Sequence, residues 1–540
     1  MPPPAERAAD IEPMPTLRSG FLRSCHKFAD RPALEIGDQR LSYAELLAEA
    51  ASLAATLQQH APEVDPALTA VFAHRSTTAF AGILGSLLRG HGYVPLNSTF
   101  PIERTRTMLQ RANCNALIVD REAASQLPEL LPGIDHSLVV LLPDLEDVGE
   151  LRANWPQHRF IARRELSPAS EWHKDPVDEN EIAYLLFTSG STGVPKGVMV
   201  AHRNVTHFVD AMVQRYQVSE ADRFSQMFDL SFDLSVFDMF VAWERGACVC
   251  CPSQMQKLVP SKFMVESQIS IWFSVPSTGV LLSRLKKLKP DLYPNLRLSL
   301  FCGEALPVEV IRSWCLAAPN SIVENLYGPT ELTIACTLYR WDPQNSDSDC
   351  ELGVVPIGEP YPGMTVLVAD EALLEVAPGE TGELLMSGPQ LTLGYWNDPQ
   401  KTAAAFVTPP GQDRVFYRTG DRVRRAQADR PMVYLGRVDN QIKIQGYRVE
   451  LGEIEAVLRE EAQVDVAIAI GWPLTTSGAD AVVAFIAADQ ADVPAITARA
   501  RERLPSYMLP REIRLVSEFP LNVNGKVDRQ ALRAQLEDGD

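Results

Sequence analysis

Short apolar runs alternate with amphipathic stretches along most of the chain. Residues 67–74 (ALTAVFAH) and 93–97 (YVPLN) have the composition of buried strands, and the stretch 77–90 between them carries apolar residues at helical spacing. The runs 115–120 (NALIVD) and 137–142 (SLVVLL) repeat the strand pattern. This alternation of strands and helices predicts a large α/β body built on parallel sheets.

The pattern changes twice towards the C-terminus. From about Gly363, short apolar runs bounded by turn residues predict a β-rich subdomain. Further on, strands at QIKIQGYRV and VDVAIAIGW enclose a helix at GEIEAVLREEA, which predicts a compact α+β unit of about a hundred residues. We therefore expect a flexible tail over 1–15, an N-terminal core over 16–438 and a small C-terminal subdomain over 439–540.

Composition narrows the class of protein. The 540 residues are 46% hydrophobic and 22% charged, as in globular proteins. The formal net charge of −19 argues against nucleic acid as the main partner, because phosphate backbones are bound by basic surfaces. Nine cysteines, with C-x-x-C spacing only at Cys248 and Cys251, favour reduced thiols in a cytosolic protein. Because the sequence shows neither a signal peptide nor an apolar run of membrane-spanning length, we expect a cytoplasmic protein without a membrane partner.

The strongest local motif is TSGSTGVPKG at 188–197. Its glycines permit a tight turn that aims backbone N–H groups at an anion, while its hydroxyl groups and its lysine add donors and positive charge. It is not a Walker P-loop, because Pro195 stands where that pattern needs glycine. A Gly/Ser-rich surface loop is the alternative interpretation. The predicted phosphate-binding residues are Thr188, Ser189, Gly190, Ser191, Thr192, Gly193 and Lys196.

This loop resembles the phosphate-binding signature of the adenylate-forming superfamily, which includes acyl-CoA synthetases, luciferases and nonribosomal-peptide adenylation domains. Other stretches resemble further family motifs and follow in the family's order. They are 41–46 (LSYAEL), 89–97 (RGHGYVPLN), 325–331 (NLYGPTE), 382–396 (GELLMSGPQLTLGYW), 417–421 (YRTGD), 436–455 (GRVDNQIKIQGYRVELGEIE), 504–510 (LPSYMLP) and 524–529 (NGKVDR). The resemblance covers nearly the whole chain. It implies a large N-terminal body of α/β subdomains with a β-rich subdomain, followed by a small mobile C-terminal α+β domain.

The resemblance also implies ATP and Mg²⁺ as cofactors. Attack of a carboxylate on the α-phosphate brings two anions together, so the reaction needs positioned positive charge. Within NLYGPTE, Glu331 is the expected Mg²⁺ ligand, because its carboxylate is a hard oxygen donor. Thr330 is expected to contact the α-phosphate and Tyr327 to stack on adenine, with Asn325 and Gly328 beside them.

Three residues further along complete the implied nucleotide chemistry. Asp421 resembles the aspartate that binds the ribose hydroxyls, and Arg437 resembles a second ribose or phosphate contact. Lys526 is the expected catalytic lysine, acting with Thr330 and Glu331. A lysine so near the C-terminus would reach the cleft only when the small domain closes, where it would stabilise developing negative charge.

Asp439 resembles the family hinge, about which the small domain rotates between two states. One state would form the adenylate. The other would bring the loop 441–446 to a pantetheine thiol, where Gly446 permits close backbone approach. Gln445 departs from the arginine often found at its position.

The stretch SFDLSVFDMF resembles the amino-acid-activating members of the family. Asp233 matches the aspartate that holds the α-ammonium group of the substrate in those members. A buried carboxylate is unfavourable unless a cation pairs with it, and the substrate would supply that cation. A helix N-cap, at Asp233 or at the neighbouring Ser235, is the alternative role. The implied pocket residues are Asp233, Leu234, Phe237, Ser274, Leu300, Cys302, Leu326, Ile334 and Ala335, with Lys526 last.

This lining is apolar apart from Ser274 and Cys302, and it offers no charge to an ionic side chain. It therefore predicts an uncharged amino acid of small to medium size. The set resembles proline-activating enzymes of pyrrole pathways, which makes L-proline the leading candidate. Leu234 and the stretch 301–304 (FCGE) also resemble ligases that load D-alanine onto carrier proteins, and cysteine stays open.

The implied second step transfers the aminoacyl group from AMP to a phosphopantetheine thiol. Because no carrier segment follows the lysine motif before Asp540, we expect a separate carrier protein, with coenzyme A as the alternative acceptor. An acyl- or aryl-CoA ligase is a second hypothesis, since it shares the fold. A non-catalytic nucleotide-binding protein that docks carrier proteins is a third. It would need a decayed site, yet Lys196, Glu331, Asp421 and Lys526 are all present.

Overall fold

The computed structural model describes residues 15–62, 67–190, 194–438, 441–475, 478–488, 490–521 and 527–537. The predicted site residues outside these ranges are Ser191, Thr192, Gly193, Asp439 and Lys526. Their roles stay predictions from the sequence, and so does the tail, of which only Pro15 is described.

A seven-stranded sheet forms one part of the N-terminal core. In spatial order its strands are Arg159–Ala162, Val139–Leu142, Ala116–Val119, Leu68–Phe72, Gly92–Leu96, Ile182–Thr188 and Lys196–Ala201. All neighbours pair in parallel except the last two strands, which form a hairpin. The strand Leu68–Phe72 is buried at every position, which explains why its sequence is a continuous apolar run.

A nine-stranded sheet forms the second part of the core. In spatial order its strands are Glu359–Pro360, Thr337–Arg340, Ile322–Tyr327, Leu298–Phe301, Ile271–Ser274, Arg223–Ser225, Cys248–Cys251, Pro32–Ile36 and Gln39–Ser42. The central strands are parallel, and antiparallel strands close both edges. The carboxyl ends of the central strands therefore meet at one edge, which is where open α/β sheets bind ligands.

The predicted β-rich subdomain is a five-stranded antiparallel sheet. Its strands are Thr365–Ala369, Thr381–Ser387, Phe406–Val407, Phe416–Arg424 and Val433–Arg437. One apolar cluster joins this sheet to both larger sheets, and it includes Leu384, Phe273 and Val71. The three sheets therefore share a single core.

The C-terminal region opens with a hairpin of the strands Gln441–Ile444 and Tyr447–Glu450. The prediction of one strand over QIKIQGYRV is therefore wrong. Gln445 and Gly446 both adopt positive φ angles, 50° and 82°, and turn the chain back on itself. The other C-terminal strands are Ala467–Gly471, Leu474–Thr475, Gly478–Ala479, Val482–Ala487 and Pro510–Val516.

Helices pack around these sheets. The longer α-helices are Ser19–Lys27, Tyr43–His60, Thr77–Arg89, Ile102–Ala112, His202–Tyr216, Pro276–Arg284, Val308–Ala317, Pro399–Ala405, Leu451–Ala462, Val493–Arg501 and Arg529–Glu537. The shorter helical segments are Arg121–Ala124, Leu127–Leu130, Gly149–Asn154, Arg163–Glu165, Ala169–Glu171, Leu234–Val236, the π-helical Phe237–Val241, Gln254–Leu258, Ser261–Glu266, Thr330–Leu332, Ser346–Asp349 and Ser506–Met508. The LSYAEL motif has a structural role: its Ser42 and Glu45 form the capping box that begins the helix Tyr43–His60.

The parallel sheets, the β-rich subdomain and the smaller C-terminal α+β unit confirm the predicted α/β fold class. Within the ranges that the structure describes, no helix combines the length and apolar character needed to cross a membrane.

Candidate active site

A cleft of about 660 Å³ opens at the carboxyl ends of the central strands of the nine-stranded sheet. Cys302 and Tyr327, at the ends of two neighbouring parallel strands, line one side of it. Asp421 and Arg437 line it from the β-rich sheet, and Lys443 lines it from the C-terminal hairpin. The cleft therefore lies where the nine-stranded sheet, the β-rich sheet and the C-terminal hairpin meet.

The described part of the TSGSTGVPKG loop lies at the edge of this cleft. Thr188 and Lys196 are paired at the loop end of the hairpin, and Thr188 lines the cleft. A Cβ atom on Gly190 would lie 2.2 Å from the carbonyl oxygen of Val194, so only glycine fits at this position.

The C-terminal region contacts this loop directly. The Ser189 hydroxyl donates to the carbonyl oxygen of Arg448 at 2.7 Å, and the Gly190 N–H donates to the Glu453 carboxylate at 3.3 Å. Glu453 also forms a buried ion pair with Arg104 of the core. A carboxylate thus accepts a hydrogen bond from a backbone N–H of the loop, which is the type of contact expected of an anion-binding loop.

Glu331 is fully buried at the centre of a charged cluster. Lys196 Nζ lies 3.2 Å from Oε1, the Tyr395 hydroxyl donates to Oε1 at 2.7 Å, and Arg448 Nη1 lies 2.9 Å from Oε2. Burial alone would raise the pKa of Glu331, but Arg448 and Lys196 more than offset it and hold that pKa well below its usual range. A carboxylate is the donor type that Mg²⁺ prefers, although a metal ion at Glu331 would require Arg448 to leave.

The predicted nucleoside contacts converge on Asp421. The Tyr327 hydroxyl donates to Oδ2 at 2.5 Å, and Arg437 Nη1 donates to Oδ1 at 2.8 Å. Asp421 and Arg437 are direct neighbours on adjacent antiparallel strands, which is why two motifs 16 residues apart meet. Asn325 lines the cleft and donates its amide to the carbonyl oxygen of Pro356 at 2.9 Å.

Asp233 lines the cleft at only 4% exposure. It precedes the helical segment Leu234–Val236 but its side chain makes no capping hydrogen bond, so the N-cap alternative is wrong. Its Oδ2 atom has no hydrogen-bond partner among the described residues. Burial raises the pKa of Asp233 to about 6, although Thr330 and Lys443 offset part of that effect. A buried carboxylate with a free oxygen fits a cationic ligand.

The predicted pocket residues fall into two groups. Those that line the cleft are Asp233, Leu234, Cys302 and Leu326. Those that do not line it are Phe237, Ser274, Leu300, Ile334 and Ala335, each at 1% exposure or less. Their role in the substrate pocket stays a prediction from the sequence. Gly328, which lines the cleft, packs directly against Ala335. A Cβ atom on Gly328 would lie 2.5 Å from the Cα atom of Ala335.

The turn at Thr333 and Ile334, beside Asp233, has a strained backbone. Thr333 and Ile334 both have positive φ angles, 56° and 72°, which β-branched residues adopt only when neighbours enforce them. The buried Gln390 amide donates to the carbonyl oxygens of Leu332, Thr333 and Ala335 at 3.1, 3.2 and 2.6 Å. One glutamine therefore clamps the turn.

The sequence analysis missed the residues that the hairpin places in the cleft. Lys443 and Arg448 are register neighbours on its two strands, and both line the cleft. The Gly446 N–H donates to Glu304 Oε1 at 2.6 Å, and the Tyr447 hydroxyl donates to Asp229. The period-two alternation of KIQGYR around a Gln-Gly turn was the available signal.

The fold, a large α/β body with a small C-terminal unit bordering its cleft, is that of adenylate-forming enzymes. The chain belongs to the AMP-binding enzyme family: the model described as AMP-binding enzyme matches residues 21–396, and the model described as AMP-binding enzyme C-terminal domain matches 453–526. This finding confirms the resemblance on which the site predictions rest.

Sequence similarity to individual proteins supports this family assignment. The D-alanine–D-alanyl carrier protein ligase of Bacillus velezensis is 30% identical and covers 92% of this chain and 95% of its own length. The dimodular nonribosomal peptide synthase of Bacillus subtilis is 33% identical over 97% of this chain, which spans 21% of that protein. This chain spans less than half the length of the large synthases that it matches.

A solved structure is similar over the whole chain. The Vibrio cholerae adenylation domain AlmE, in complex with glycyl-adenosine-5′-phosphate, has a TM-score of 0.86 and 31% identity. The similarity covers 98% of this chain and 100% of that one.

Replacement of Gln390 tests the clamp on the strained turn. Gln390→Leu removes an NH2 group whose two hydrogens are shared among three buried carbonyl oxygens, so we expect the free energy of unfolding to fall by about 2–4 kcal/mol. The measurement is the shift of the urea unfolding midpoint. Gln412→Leu, on an exposed turn, is the matched control and should change the midpoint little. Equal midpoints for the two variants would contradict a clamping role.

Proposed function

We propose that this protein activates an uncharged, small-to-medium α-amino acid with ATP and loads it onto a carrier protein. The amino acid carboxylate attacks the α-phosphate of ATP, which forms aminoacyl-AMP and releases pyrophosphate. The phosphopantetheine thiol of a separate carrier protein then attacks the carbonyl carbon, which forms the thioester and releases AMP. The observation that carries this proposal is Asp233, a buried carboxylate with an unpartnered oxygen in the same cleft as Tyr327 and Asp421.

An amino acid fits this cleft better than a simple carboxylic acid does. A substrate ammonium group would pair with Asp233, whereas a fatty or aryl acid would leave the carboxylate buried without a cation. This argument favours an amino acid ligase over the acyl- or aryl-CoA ligase. L-Proline is the leading candidate from the pocket residues, with alanine and cysteine next. The similarity to a D-alanyl carrier protein ligase supports the carrier as acceptor.

The nucleotide is proposed to lie between the loop and the β-rich sheet. Tyr327 would face adenine, Asp421 and Arg437 would hold the ribose, and Thr330 would contact the α-phosphate. Lys196 and the loop 188–193 would bind the outer phosphates. Mg²⁺ on Glu331 would neutralise the triphosphate during adenylate formation.

The arrangement of the C-terminal region suits the thiol step. Arg448 forms an ion pair with Glu331, the carboxylate that would otherwise bind the metal ion. Glu453 accepts from the Gly190 N–H, which would otherwise donate to an outer phosphate. Gly446 meanwhile lies against Glu304 and Val275 at the cleft. We propose that rotation about Asp439 exchanges this arrangement for one in which Lys526 serves adenylate formation.

Amino-acid-dependent exchange of pyrophosphate into ATP tests the first step. We expect exchange with at least one uncharged amino acid and a loss of about 10²–10³-fold in Lys526→Ala, because a positioned cation stabilises the transition state. Lys287→Ala, at an exposed position, is the control and should keep the wild-type rate. Full activity in Lys526→Ala would remove that lysine from the mechanism. AMP release with CoA and simple acids alone would favour the CoA ligase.

The pH dependence of substrate binding tests the role of Asp233. Because the raised pKa of about 6 leaves Asp233 neutral at lower pH, the KM for the amino acid should rise as pH falls through 6. The rise should approach about tenfold per pH unit below pH 5. In Asp233→Asn the KM should be high and independent of pH over this range. Asp413→Asn, with an 88% exposed side chain, should keep the wild-type profile. A wild-type profile in Asp233→Asn would contradict the ammonium contact.

Gly446 tests the thiol step separately. A Cβ atom there would lie 2.3 Å from Val275 Cγ1, so Gly446→Ala should displace the hairpin. We expect aminoacyl-pantetheine formation from free pantetheine, followed by mass spectrometry, to slow by at least about tenfold while pyrophosphate exchange persists. Gly353→Ala has a similar positive φ of 73° but no atom within 4 Å of its Cβ, which makes it the matched control. Equal losses in both variants, or in both reactions, would argue against a role specific to thiol transfer.

A further inference from the structure

Glu304 links the core to the turn of the C-terminal hairpin. Its Oε1 atom accepts from the Gly446 N–H at 2.6 Å, and its Oε2 atom accepts from the Ser277 N–H at 2.7 Å. Ser277 lies in the first turn of the helix Pro276–Arg284, where backbone N–H groups have no partner within the helix. One carboxylate therefore satisfies a core helix and a backbone donor of the C-terminal region at the same time.

The junction around this contact is closely packed. Glu304 and the preceding Gly303 both line the cleft. A Cβ atom on Gly446 would lie 2.3 Å from Val275 Cγ1, and one on Gly303 would lie 3.4 Å from the same atom. A Cβ atom on Gly303 would also lie 3.9 Å from the carbonyl oxygen of Gly446. The backbone of the turn therefore approaches the core directly, and its N–H group bonds to the Glu304 carboxylate.

Other contacts hold the hairpin in the cleft through its side chains. Arg448 pairs with Glu331, and the Tyr447 hydroxyl donates to Asp229. The contact with Glu304 differs from these because it is made by the backbone of the turn itself. Loss of the Glu304 acceptor would therefore displace the turn while Arg448 and Tyr447 keep the hairpin in the cleft.

We propose that Glu304 is a positioning residue for thiol transfer, because its carboxylate fixes the Gly446 turn beside the cleft while the thiol attacks the aminoacyl-AMP. In that step the carbon–sulfur bond forms, the bond from the carbonyl carbon to the AMP oxygen breaks, and the thiol proton is released. The inference rests on the proposed function and adds one residue to its second step. Adenylate formation does not depend on this contact, because the proposed rotation about Asp439 separates Gly446 from Glu304.

Separate assays of the two half-reactions test this assignment on the full chain. Glu304→Ala removes both acceptor oxygens, whereas Glu304→Gln keeps one. We expect kcat for aminoacyl-pantetheine formation from free pantetheine to fall by about tenfold or more in Glu304→Ala and by less in Glu304→Gln, because a displacement of about 1 Å can lower a rate by about 10²-fold. Pyrophosphate exchange should stay close to the wild-type rate. Glu309→Ala and Glu309→Gln, at a side chain that is 82% exposed, are the matched controls.

Hydrogen exchange followed by mass spectrometry reports the position of the turn independently of activity. In the nucleotide-free protein, a peptide that covers residues 441–450 should exchange faster in Glu304→Ala than in the wild type, because the Gly446 N–H loses its acceptor. A peptide that covers the strand Ile182–Thr188 should exchange at the wild-type rate in both proteins.

The outcomes separate this inference from the proposed function. Equal losses in both half-reactions, or an unchanged thiol step in a folded Glu304 variant, overturn the positioning role but leave the proposed function intact. Glu304→Gln covers the case in which Glu304→Ala does not fold. A wild-type protein that forms no adenylate with any amino acid overturns the proposed function and this inference with it.

Discussion

The charge balance around Glu331 is the interaction on which the arrangement of the cleft depends. Its carboxylate is completely buried, and an uncompensated buried charge is strongly destabilising. Lys196 supplies one cation from the core, and Arg448 supplies another from the C-terminal hairpin. Departure of the hairpin would remove the Arg448 contact and leave Lys196 as the described cationic partner of Glu331. The position of a whole domain is tied in this way to one carboxylate.

The loop at 188–197 makes a contact of the opposite sign. Its described backbone donor, the Gly190 N–H, bonds to the Glu453 carboxylate, which Arg104 also holds. The C-terminal region thus brings a cation to Glu331 and an anion to the loop at the same time. A divalent metal ion with a bound phosphate group would likewise present a cation to Glu331 and an anion to the loop. Exchange of one pair for the other would keep both Glu331 and the loop next to groups of opposite charge, which would lower the electrostatic penalty of the proposed domain rotation.

The sequence predicted the fold and the grouping of motifs but not how the hairpin enters the cleft. Motifs far apart in the chain, such as those of Tyr327 and Asp421, could be assigned to one site because the family resemblance orders them. Apolar periodicity located the central strands because these are buried on both faces. Alternation alone did not divide QIKIQGYRV into two strands, because it continues on both sides of Gln445 and Gly446; the Gln-Gly pair was the signal for the turn. The tertiary partners of Arg448 and Glu453 lie hundreds of residues away and leave no local signal.

The walls of the pocket were also beyond sequence analysis, for a different reason. The sequence gives the chemistry of the predicted pocket residues but not their packing: Phe237 packs against Phe273, and the Ser274 hydroxyl accepts from Trp272. Selectivity that arises from a rigid apolar wall is one-sided. A rigid apolar wall excludes larger side chains by overlap, which is strongly unfavourable. It rejects a smaller side chain only through lost contacts, about 1–3 kcal/mol for a methyl group. A pocket built for alanine would therefore still accept glycine, whereas one built for glycine would exclude alanine.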